Sequence, residues 1–130
     1  MDRLYDNPLN EVKNVMSAEQ IAECIEDVNS IIFAESLCKY VAQLAAATRN
    51  HPSVALGASP RASVALMQAS RAYAYLRGRD YVIPEDIVRL LIPVFEHRIV
   101  LKQESRINRR SVRSVLEDAV SSVVPPVKRS

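Results

Sequence analysis

Apolar residues recur along the chain at spacings of three and four, the period of a helix that buries one face. Ile21, Ile25, Val28 and Ile32 form the first such stripe. It follows Ser17-Ala18-Glu19-Gln20, a capping box in which the Ser hydroxyl accepts an early N–H and Gln20 reaches back. A helix is predicted over about 18–29. Leu37, Val41, Leu44 and Thr48, helped by Ala45, Ala46 and Ala47, predict a second over 35–49, closed by Asn50-His51-Pro52. A loop containing Gly57 covers 50–58. Ser59-Pro60 supplies an N-cap and a first-position proline, so a third helix begins there. It runs to about Arg77, where Gly78 can take the left-handed conformation that stops it. Its stripe is Ala62, Leu66, Ala69, Tyr73 and Leu76, and Ala65, Ala69 and Ala72 leave room for a neighbouring helix.

Tyr81-Val82-Ile83 reads as a short extended piece. Pro84 opens a fourth helix, with Glu85 and Asp86 in the first turn, where the helix dipole favours anions. Ile87, Leu91, Val94 and Arg98 carry its stripe, and Pro93 must kink or split it. A last helix, about 111–122, begins at Ser111 and buries Val112, Val115, Leu116 and Ala119 before Pro125-Pro126 ends it. Residues 1–16, with the turn signal Asp6-Asn7-Pro8, read as irregular, and the polar stretch 102–110 as a linker. The expected fold is all-α: a small bundle of about five helices, with at most a very short extended segment near 81–83.

Composition agrees and narrows the chemistry. The 130 residues are 48% hydrophobic and 25% charged, ordinary for one soluble domain, and only 5% aromatic, with no Trp. Glycine is nearly absent: Gly57 and Gly78 stand where an average chain of this length carries about nine. A phosphate-cradling loop needs paired glycines close together, and a dinucleotide fingerprint needs a triplet. Neither can be present, so this chain does not hold a nucleotide alone.

Charge is uneven. Residues 1–59 hold four basic and eight acidic side chains, residues 60–130 thirteen basic and seven acidic. A basic half can meet phosphate, nucleic acid or an acidic protein surface. No apolar run approaches the ~20 residues of a membrane span, and the first residues lack a signal-peptide core. Cys24 and Cys38 lie beside apolar stripes and are expected to be buried, reduced thiols of a cytoplasmic protein.

Most candidate chemistry fails on spacing. Cys24, Cys38, His51 and His97 fit no zinc-finger pattern, and both Cys lie in apolar helical contexts, which disfavour a reactive thiolate. Glu26-Asp27 and Glu85-Asp86 are adjacent pairs, which diverge on a helix, and read as surface or dipole-complementing charges. Arg106, Arg109, Arg110 and Arg113 form a basic cluster without an aromatic to stack a base, and read as a solvated linker. Gly57-Ala58-Ser59-Pro60-Arg61-Ala62 is more informative. An Arg in the first turn of a capped helix joins two anion attractors, the helix N-terminus and a guanidinium that can fork onto phosphate oxygens.

The run Thr48-Arg49-Asn50-His51-Pro52-Ser53-Val54-Ala55-Leu56-Gly57-Ala58-Ser59-Pro60-Arg61-Ala62 resembles the C-terminal helical lid of MoxR-family AAA+ ATPases. The likeness continues through Leu76-Arg77-Gly78-Arg79-Asp80-Tyr81-Val82-Ile83-Pro84-Glu85-Asp86, Pro93-Val94, His97-Arg98 and Val123-Val124-Pro125-Pro126, spanning about 17–127. It implies residues 1–16 as a connecting segment from a missing AAA+ core, 17–127 as the lid and 128–130 as a tail.

The same resemblance implies that Arg61 is the "sensor 2" arginine, the nucleotide-binding residue that reaches the γ-phosphate in the intact parent. ATP and Mg²⁺ belong to that parent; this fragment carries no catalytic residue, metal site or cofactor of its own. The implied partners are the protein's own core and neighbouring subunits of a hexameric ring. The implied action is chaperone-like remodelling, often of proteins with a von Willebrand factor A domain. Ala34 and Ile83 depart from the family, which more often has a capping hydroxyl there. Each loss costs on the order of 1 kcal/mol of helix stability. The alternative is a stand-alone helical module that binds nucleic acid or an acidic protein through its basic second half.

Overall fold

A helix starts where its first N–H groups find acceptors, and the computed structural model, which describes residues 7–127, supplies a side-chain cap at half of its helices. Asn7 caps a short 3-10 turn, Pro8–Glu11. Helix α1, Ala18–Ser30, opens on the predicted capping box: the Gln20 N–H donates to Ser17 Oγ at 3.2 Å, and the Ser17 N–H donates to Gln20 Oε1 at 2.9 Å. Helix α2 spans Glu35–Arg49. Helix α3, Pro60–Leu76, is capped by Ser59, and α6, Val112–Ser122, by Ser111. The unusual caps are also as read: Ala34 offers α2 no side-chain acceptor. Helix α4, Pro84–Phe95, has a partial remedy, because the Asp86 carboxylate accepts the Ile83 N–H at 2.9 Å.

Helix α3 is central. It packs against α1, α2 and α4, while α6 closes the bundle against α2 and α4. The core is Leu37, Tyr40, Val41 and Leu44 from α2, Ala62, Leu66 and Ala74 from α3, Ile87, Leu91 and Phe95 from α4, and Val115, Leu116 and Ala119 from α6. Burial and the nearby Glu85 charge push the Tyr40 phenol above its ordinary pKa.

Several expectations change. The apolar stripe of α1 faces outward: Ile21 is 50% and Ile25 57% exposed, and no residue of the helix is fully buried. Cys24 and Cys38 are free and half-buried rather than buried. Tyr75 ties α1 to α3, its hydroxyl lying 3.7 Å from Cys24 Sγ and donating to Asp27 Oδ2 at 3.2 Å. Those two bonds, that to Cys24 first, hold the phenol in its protonated form, with its pKa pushed up to about 12. On α3 the buried line is Ala62, Leu66, Ser70 and Ala74, and Leu76 points to solvent. The small Ser70 is accommodated because its hydroxyl donates to the Leu66 carbonyl one turn back, at 2.8 Å.

Pro93 does not split α4, which runs on to Phe95 and then tightens into a 3-10 turn, Glu96–Arg98. The expected linker holds a short helix α5, Gln103–Ile107, which makes six α-helices among the described residues. Extended structure lies elsewhere than expected. Strand β1, Val54–Leu56, pairs antiparallel with β2, Val100–Leu101, with an irregularity opposite Ala55. Residues 81–83 contribute only an isolated parallel bridge, Ile32 to Tyr81.

Two helices end in the same way. Gly78 takes φ 73° after α3, with the Gly78 N–H donating to Tyr75 O and the Arg79 N–H to Ala74 O. Arg109 takes φ 58° after α5, with the equivalent pair of bonds to Arg106 O and Ser105 O. The proposed tail 128–130 and the first six residues of the proposed connecting segment lie outside the described residues. No helix among those described is long and apolar enough to cross a membrane.

Candidate functional site

The segment from Thr48 to Ala62 is built as a latch that aims the start of α3. Thr48 sits fully buried in the last turn of α2. Its hydroxyl donates to the Ala45 carbonyl at 2.7 Å and accepts the Ala58 N–H at 3.0 Å. Both capacities of one hydroxyl are used, and a buried backbone donor is satisfied ten residues downstream. Gly57 makes the approach possible. A Cβ there would stand 2.5 Å from Arg49 Cγ, 2.6 Å from Arg49 Cα and 2.7 Å from Arg49 N, against the helix backbone itself. Ala58 is then fully buried, and Ser59 Oγ accepts the Ala62 N–H at 3.2 Å.

The loop has a second anchor in α6. The Ser53 N–H donates to His51 Nδ1 at 3.1 Å, so the neutral ring carries its proton on Nε2, which faces Asp118 Oδ2 at 3.0 Å. Arg110 pairs with the same Asp118 oxygen. Strand β2 holds the loop from the other side, with the Lys102 N–H donating to Ser53 O at 2.9 Å.

Arg61 lies in the first turn of α3, exposed, with no ion-pair partner among the described residues. Of the first-turn donors, Pro60 has none and that of Ala62 is taken by Ser59. The N–H of Arg61 is the one left over. Backbone donor and guanidinium therefore come from one residue on a helix whose dipole favours an anion at this end.

The other candidates are scattered. His51 serves the loop, Cys24 meets Tyr75, and Arg98 Nε lies 3.4 Å from His97 Nε2. No group of three or more His, Cys, Asp or Glu side chains stands together as a metal site among the described residues. In the basic cluster, Arg110 is committed to Asp118, while Arg106, Arg109 and Arg113 are exposed around the α5–α6 turn.

Glu85 and Asp86 do diverge, but Asp86 is not a surface charge. It is 2% exposed and takes both guanidinium nitrogens of Arg79, at 2.8 and 2.6 Å, in addition to the Ile83 N–H. The bonds to Asp86 raise the Arg79 pKa further. The sequence carried a faint signal for this clamp, a carboxylate at the third position of a helix whose own cap lacks an acceptor. It carried none for the Thr48 latch, since a Thr on an apolar stripe reads as core.

Comparison with known proteins places this geometry. Residues 46–119, more than half of the chain, match the model of the AAA lid domain. The chain belongs to that family. Proteins named MoxR are among its relatives. It is 36% identical over 124 residues to YeaC of Bacillus subtilis, covering 95% of this chain and 39% of that protein. It is 31% identical over 125 residues to the chaperone MoxR1 of Mycobacterium tuberculosis, covering 89% of this chain and 33% of that protein. A solved chain of a candidate ATPase from Cytophaga hutchinsonii superposes with a TM-score of 0.85 at 28% identity, over 96% of this chain and 40% of the other. The chain thus spans a third to two fifths of the length of these relatives.

Proposed function

We propose that this chain is the part of a MoxR-like AAA+ ATPase that closes over ATP held by a separate core, with residues 1–16 leading in from that core. On this reading the exposed stripe of α1 belongs against the rest of the protein, and lid rotation carries hydrolysis into remodelling of a partner within a ring. The hexameric ring, Mg²⁺ in the parent, a von Willebrand factor A domain client and a cytoplasmic setting extend the same reading.

One observation carries it: an unpaired arginine is held at a capped helix start by a buried latch. Where the chain could have let Arg61 wander on a loop, it fixes the backbone through Gly57, Thr48, Ser59 and Pro60. Preorganisation of that kind matters most for stabilising charge that develops during a reaction, because no reorganisation is then needed. ATP would supply the γ-phosphoryl group and its charge. Arg61 would hold that charge through its guanidinium and sense its loss.

The test uses the full-length protein. Arg61→Ala is expected to lower turnover at saturating ATP by about 10- to 1000-fold, more than it weakens ATP binding, with Arg61→Lys intermediate. Turnover unchanged in Arg61→Ala would remove the residue from this role.

A further inference from the structure

At the far end of α3 from Arg61, a concavity of about 320 Å³ lies between the end of α3 and the start of α4, lined by Tyr73, Arg77, Arg79, Ile83, Glu85, Asp86 and Arg89. The charges in it are not equivalent. Arg79 is neutralised by the buried Asp86, to which it is bound twice. Arg77 and Arg89 have no ion-pair partner among the described residues. Arg89 lies over the Tyr73 ring, its guanidinium carbon 5.5 Å from the centre. Glu85 is the one acid not already committed to an arginine.

We propose that this pocket is a docking site for an acidic segment of a partner protein, with a partner carboxylate held between Arg77 and Arg89. Two unpaired guanidinium groups against one carboxylate leave room for a single negative charge. The volume is at the small end of ligand pockets and fits one or two side chains rather than a nucleotide. Tyr73 and Ile83 give apolar walls for the methylene groups of a glutamate. A guanidinium stacked on a ring has lost freedom in advance, so less is lost on binding. The 17 residues of α3 put Arg77 roughly 24 Å from Arg61 along the helix axis. This site therefore stands or falls separately from the nucleotide reading.

The test is an NMR titration of the 130-residue chain with a hexaglutamate peptide, following backbone and Arg Nε signals. Hexaglutamine, inorganic phosphate and oligouridine serve as competing probes. Hexaglutamate is expected to move signals at Tyr73, Arg77 and Arg89, with an affinity that falls as salt rises. Arg77→Gln with Arg89→Gln is expected to weaken binding at least tenfold at an unchanged melting temperature, since both side chains are exposed, and the Lys pair to restore part of it. Arg106→Gln with Arg113→Gln is expected to leave binding as it was. The proposal is overturned if the perturbations gather around Arg106–Arg113 instead, or if the double Gln variant binds as tightly as the unaltered chain. It is equally overturned if hexaglutamine, phosphate or oligouridine occupies the pocket as well as hexaglutamate does.

Discussion

Helices α1 and α4 are near equals in length and both are amphipathic, yet they meet opposite fates. Helix α4 buries Asp86, Ile87, Leu91 and Phe95 against α3 and α6. Helix α1 fully buries nothing; it touches α3 along one flank and turns Ile21 and Ile25 to solvent. An apolar stripe says that a helix has a face to cover, not which surface covers it. In a chain that spans a third to two fifths of its relatives, the helix left uncovered is the one expected to meet the rest of the protein.

The comparison is broken most directly by matched truncations. Phe95→Ala, at a fully buried ring, is expected to cost about 3–5 kcal/mol of unfolding free energy. Ile25→Ala in the same chain is expected to cost under about 0.5 kcal/mol. Denaturant melts of the two variants measure both. A cost for Ile25→Ala near that of Phe95→Ala would mean that α1 is already packed in the isolated chain.

The clamp at the head of α4 comes next. Asp86→Ala removes the partner of a half-buried guanidinium and the acceptor of the Ile83 N–H together, for an expected loss of about 3 kcal/mol. A loss below about 1 kcal/mol would show that Arg79 finds water as readily as Asp86.

Smaller again is the latch. Thr48→Val keeps the shape and removes the hydroxyl, orphaning the buried Ala58 N–H at about 1–3 kcal/mol, while Thr48→Ser is expected to restore most of it. In the full-length protein the same Val substitution is expected to lower ATP turnover without any contact to nucleotide. Normal turnover in a folded Thr48→Val protein would mean that the latch does not position Arg61.

The helices were legible because capping and periodicity are local. Ser17, Ser59 and Ser111 cap where their hydroxyls suggest, and Gly78 stops α3 in the left-handed conformation. Partnerships across long separations were not legible. The β1–β2 pair joins Val54 to Leu101, and strands of three and two residues are too short to show an alternation. The direction of the α1 stripe depends on what lies beside it, which spacing does not encode. In the α5 turn, Arg109 occupies the left-handed position where a glycine would have marked the helix end, so the short helix passed for linker. Arg61 stood out in the sequence because its signal is local, a capped helix start after a glycine. Thr48, which holds that start in place, acts through an N–H ten residues away.

The central claim is that Arg61, fixed by this latch, reads the terminal phosphate. The most direct measurement is the affinity of the full-length protein for ATP relative to ADP, by calorimetry, with and without Arg61→Ala. Loss of one charge-assisted contact made only to the γ-phosphate should lower the preference for ATP by about 10- to 100-fold, leaving ADP affinity nearly unchanged. A preference that is the same in both proteins, or an equal fall in both affinities, would contradict it.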